Sequence, residues 1–124
     1  MKDLAKGSAI ALFTFAVGLG LATLTARPYA ERALREAVLR QDLREMRKAI
    51  DQYAVDQESF PPRLNDLVIW GYIRELPIDP FTNRADWEAE TGEPIGPPGG
   101  GRGIVGVHSS AAGLSLSGLP FRDF

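Results

Sequence analysis

The chain has no cysteine, a single histidine and a net charge of only −2 over 124 residues. Without cysteine there is neither a disulfide framework nor a thiolate metal site. With one histidine there is no second imidazole to complete a metal set or a relay. Charge near zero, and no basic stripe interleaved with aromatics, gives no electrostatic reason to expect nucleic acid as a partner. Glycine and proline are also absent from residues 29–56, although the chain holds thirteen glycines and nine prolines, concentrated after residue 90. The middle therefore reads as regular helix and the end as loops with short strands. The length fits one domain plus an anchor.

Residues 7–26, GSAIALFTFAVGLGLATLTA, contain no charged side chain. A helix crossing a bilayer core of about 30 Å needs about 20 mainly apolar residues, and this run just reaches that length. Lys2 and Lys6 would also suit the basic start of a cleaved secretory signal. The best cut, after Ala26, has Leu24 at the −3 position, a poor fit to the small-x-small rule. A retained anchor over residues 1–27 is the favoured reading, with stem and head in residues 28–124. Gly18 and Gly20, with Ala16 and Ala22, would let neighbouring helices approach closely. Lys and Arg flank the run on both sides, so charge leaves its orientation open.

Beyond Pro28, Leu39, Leu43, Met46, Ile50 and Tyr53 recur at spacings of four, three, four and three, an apolar stripe on one helical face that should pack the head on the stem. Ala30, Ala33 and Ala37 extend the stripe backward with small side chains. Glu31–Arg35 and Glu36–Arg40 have the favourable i,i+4 order. Pro28 removes one ladder hydrogen bond and is a candidate kink. Phe60-Pro61-Pro62 should end the helix. A short helix carrying Leu64, Leu67 and Val68 follows, with Pro62 in its first turn and Gly71 as its C-terminal cap. Pro77, Asp79-Pro80 and Thr82-Asn83 are turn chemistry. Trp87 is expected on a short strand and residues 91–103 in a loop. Residues 104–108 and 114–117 read as two strands joined near Gly113. The expected fold is α+β, a long N-terminal transmembrane-plus-stem helix packed on a small antiparallel sheet.

DLREMRKAIDQYAVDQESFPPRLNDLVIWGYIRELPIDPFTNRADW, residues 42–87, resembles the head of the major pseudopilin of type II secretion and, more broadly, the type IV pilin-like family. The resemblance rests on Ile50, Asp51 and Tyr53, then Phe60-Pro61, Leu64, Leu67-Val68, Gly71-Tyr72-Ile73 and Pro77-Ile78-Asp79-Pro80. Residues 103–124 are similar to the family's closing hairpin and tail, and the likeness runs in order from residue 28 to 124. It implies a structural subunit of a secretion or pilus-like assembly in the bacterial inner membrane. That subunit would be single-pass, with its head in the periplasm and other pilin-like subunits or inner-membrane secretion proteins as partners. It implies no enzymatic activity.

The chain departs from the family pattern in two places. Where relatives carry the prepilin cleavage site, the nearest equivalent is Gly7-Ser8. The glutamate that follows in relatives falls on Ala11 when Pro28 is aligned, or on Leu12 when cleavage follows Gly7. A monomeric membrane-anchored binding or accessory module is therefore the alternative reading. The family also often holds Ca²⁺ in its C-terminal loop. Here Ser117 and Asp123 are the candidate ligands, with Gly106 standing where an acid is common. One carboxylate is too few for tight binding of a hard cation, so no cofactor is expected.

Other chemistry finds little support. His108 beside Ser109-Ser110 is adjacency rather than triad geometry. GPPGGGRG lacks the Lys-Ser/Thr of a phosphate loop. Asp51 and Asp79 suit helix-surface and turn roles, and Trp70, Tyr72 and Trp87 suit core or subunit contacts.

Overall fold

A computed structural model describes residues 2–95 and 101–124; along the first helix, side chains are described at 14–17, at 20–21 and from 26 onward. The chain forms two compact units, Met1–Leu34 and Arg35–Phe124. Helix α1, Lys2–Gln57, supplies the first and enters the second, and it continues through Pro28. It stops at Glu58, whose φ of +52° lies in the left-handed region, and Pro61 and Pro62 follow.

In the second unit the stripe selects the buried face of α1. Leu39, Leu43, Met46, Ile50 and Tyr53 are buried with Leu67, Trp87, Ile104, Val107 and Phe121 in one cluster. Removing one such aliphatic side chain from water contributes about 1.5–3 kcal/mol, which is how an amphipathic segment gains a fixed partner.

Helix α2, Leu64–Ile69, is held at both ends. The buried Asp66 carboxylate accepts the Arg63 backbone N–H at 3.0 Å and the exposed Arg63 guanidinium at 3.0 Å, and this hydrogen bond, with the charge of Asp66, raises the Arg63 pKa. At the C-terminus, Tyr72 N–H donates to Leu67 O and Gly71 N–H to Val68 O, with Gly71 at φ +77°, the paired bonds of a Schellman cap. Pro62 precedes the N-cap rather than entering the first turn.

The sheet has two strands, β1 (Glu88–Gly92) and β2 (Gly103–His108), paired antiparallel. Glu90 faces Gly106 but Thr91 faces Ile104, so Val105 is an extra residue in β2. This bulge reverses the inward–outward alternation and lets both Ile104 and Val107 reach the core, three residues apart.

The structure corrects several expectations here. Trp87 lies just before β1 rather than on a strand. Residues 91, 92 and 103, expected in a loop, belong to the strands. Residues 114–117 form no strand, only an isolated bridge between Leu114 and Pro120. The reason is local satisfaction of their backbone groups. Ser115 N–H donates to Leu119 O and Gly118 N–H to Ser115 O, with Gly118 at φ +83°, so the segment closes into a tight turn. The strand that pairs with β2 comes from earlier in the chain, Glu88–Gly92, instead.

Ile104 N–H donates to Pro61 O at 2.8 Å, drawing β2 onto the end of the stem. A Cβ on Gly103 would lie 2.4 Å from Phe60 Cβ and 2.7 Å from the Phe60 carbonyl oxygen. Gly103→Ala should therefore destabilise the head by about 1–3 kcal/mol, because one neighbour is backbone and cannot rotate away. Urea denaturation measures this, and an unchanged midpoint would show that the contact can relax.

Candidate functional site

The polar side chains of the stem hold the C-terminal segment rather than gather around a reaction centre. Continuing the stripe back by three from Leu39 reaches Glu36, which is only 4% exposed, and its Oε1 accepts Leu116 N–H at 2.7 Å. The expected alanine extension is thus corrected. Ala30 and Ala37 are exposed and Ala33 is half-buried. Ala37 sits two residues from Leu39, about 200° around the helix. Arg40, expected to pair with Glu36 at i,i+4, has its guanidinium 4.3 Å from the centroid of the Phe124 ring. Arg47 donates to Val107 O at 2.9 Å and to Phe124 O.

A second polar node lies under the Pro77–Asp86 loop. Asp79 is fully buried. Its Oδ1 accepts Phe81 N–H at 2.8 Å and its Oδ2 accepts the Ser109 hydroxyl at 2.5 Å. Asn83 N–H donates to Asp79 O, and Asn83 takes the left-handed conformation at φ +55°. Trp87 Nε1 donates to Pro77 O at 2.8 Å. Asp79 was legible as a turn residue, but its burial and its link to Ser109 were not, because they join positions thirty residues apart.

Ser109 spends its hydroxyl on Asp79, so it does not form a pair with His108. His108 is half-buried with Nε2 3.2 Å from Glu90 Oε2, and its Nδ1 is buried without a partner among the described residues. Asp51 is exposed on α1. Trp87 is in the core, whereas Trp70 is 58% exposed. The Tyr72 hydroxyl donates to Asp56 Oδ2 at 3.0 Å.

Asp42 is half-buried beside like charges. Burial pushes its carboxyl pKa up, and Glu45 and Asp79 push it further in the same direction. A carboxyl whose pKa is raised on folding favours the fold below its unfolded pKa, and that contribution is lost as pH rises through the folded value. Asp42→Asn should therefore raise the melting temperature at neutral pH and give no such gain at about pH 3, where the native carboxyl is already protonated. Equal gains at both pH values would locate the effect elsewhere.

The calcium candidates are not drawn into a ligand set. The Ser117 hydroxyl is 2.8 Å from Ser115 Oγ, and Asp123 is exposed in a single 3-10 turn, Phe121–Asp123. No group of three or more histidines and carboxylates that could hold a metal is present among the described residues.

In the N-terminal unit, Phe15 is 72% exposed, Leu21 59% and Tyr29 64%. Ala16 is exposed, and a Cβ on Gly20 would meet nothing within 4 Å. Gly7, Ser8, Ala11, Leu12, Gly18 and Ala22 lie outside the described side chains, as does much of the expected anchor. Among the described residues, no helix is long and apolar enough to cross a membrane. No family model, curated protein or solved structure matches this chain.

Proposed function

We propose that the chain is a structural pseudopilin-like subunit of a type II secretion or type IV pilus-like assembly. Residues 7–26 anchor it in the bacterial inner membrane, and the head stands in the periplasm. The observation that carries this reading is the division of labour along α1. From Leu39 to Tyr53 the helix buries its apolar stripe against its own head, whereas Phe15, Leu21 and Tyr29 on the same helix are exposed. Large apolar side chains left open in this way suit lipid or the helices of neighbouring subunits. The resemblance over residues 28–124 supports the same reading.

A second reading, a monomeric anchored binding or accessory module, is favoured by Ala11 and Leu12, which cannot ionise where relatives carry a glutamate. In a polymer of this kind such a carboxylate would set register through a buried ion pair. Intact mass of the protein from its native membrane separates the readings. A chain beginning at Ser8 is expected for a processed subunit. A chain beginning at Met1 points to the unprocessed module, and one beginning near Arg27 removes the anchor and overturns both.

A further inference from the structure

A groove of about 520 Å³ runs between α1 and the Tyr72–Pro77 segment, within the second unit. Met46 and Ala49, both buried, line it together with the half-buried Ile73 and Pro77. Glu45, Lys48, Arg74 and Glu75 line it as well, and all four are exposed. Glu45 accepts a hydrogen bond from the Gln41 amide at 2.8 Å. The side chains of Lys48, Arg74 and Glu75 make no ion pair or hydrogen bond among the described residues. A floor of this kind with two acids and two bases at its edge, three of them without a partner among the described residues, is complementary to itself in charge. A patch carrying one sign would repel its own copy; this one offers each sign the other.

We infer that the groove is the contact surface for a second copy of this chain, joined about a two-fold axis so that the acids of each copy meet the bases of the other. Met46 and Ala49 are already buried within the chain, so contact falls on the exposed rim and the half-buried Ile73 and Pro77, and the charges set the register. This contact goes beyond the subunit reading, since it uses only the second unit and requires neither processing of the N-terminus nor a filament.

The test uses the full chain in detergent, with two differently tagged populations and co-purification as the readout. One variant makes the rim wholly acidic (Lys48→Glu with Arg74→Glu), and the other makes it wholly basic (Glu45→Lys with Glu75→Lys). Each variant should lose association with itself by about tenfold or more, since like-charge juxtaposition costs several kcal/mol. Acidic and basic variants mixed together should recover native association. Self-association of the acidic variant at the native level, or no recovery on mixing, would overturn the inference. If either variant fails to fold, a salt titration of the native chain decides. Association should weaken between about 0.1 M and about 1 M salt, where the screening length falls from about 10 Å to about 3 Å. Association unchanged over that range, or absent throughout, also overturns the inference. The N-terminal mass reports on the subunit proposal and this mixing on the groove, so each can fail alone.

Discussion

Asp79→Ala should lower the stability of the head by about 3–5 kcal/mol, the larger end of what removal of one polar side chain does. The carboxylate is fully buried and accepts from Phe81 N–H and from the Ser109 hydroxyl. Hydrogen bonds to a charged acceptor contribute about 1.5–3 kcal/mol each, and a buried donor left without its acceptor costs about 1–3 kcal/mol. These terms overlap, so they do not simply add. At about 4–8 °C per kcal/mol for a domain of this size, the melting temperature should fall by well over 10 °C. Asp79→Asn is the informative control. Its Oδ1 can still accept from Phe81, and the Ser109 hydroxyl can rotate to accept from the new amide, so the loss should be about 1 kcal/mol. Thermal melts of both variants decide the matter. An alanine variant within about 1 kcal/mol of the native chain would show that the loop is held without the carboxylate.

Ile50→Ala should cost about 2–5 kcal/mol, because the stripe is packed on every side at this point and the space left cannot fully collapse. Ile50 has no exposed surface and belongs to the same cluster as Tyr53, Trp87 and Val107. Val55→Ala, five residues on along the same helix, removes a side chain that is 74% exposed and should stay within about 0.5 kcal/mol. Urea denaturation of the pair tests whether burial rather than helix propensity sets the stability of the stem. Equal losses would refute that account.

The stem was the most legible part of the molecule. Leu39 to Tyr53 identify their own face, because side chains three and four apart must lie on one side of a helix whatever it packs against. The end of α1 before Pro61 and the cap at Gly71 follow in the same way, from backbone geometry that proline cannot adopt and glycine can. Each of these rules acts within a few residues.

A strand at 104–108 and a small antiparallel sheet were legible, but the partner strand and the polar nodes were not, and for one reason. Glu88–Gly92 became a strand by pairing with Gly103–His108 across a glycine-rich stretch, although its own residues are mostly polar and exposed. Residues 114–117 have better strand composition, yet Ser115 and Gly118 closed them into a turn and Glu36 took the Leu116 N–H from eighty residues away. Glu36 reads as a surface charge and is buried; Asp79 reads as a turn residue and anchors Ser109. Local rules determined the helices, their faces and their ends, because helical hydrogen bonds close within one turn. Strand pairing and the fate of buried carboxylates were decided by the tertiary structure, because their hydrogen-bond partners exist only once distant segments have met.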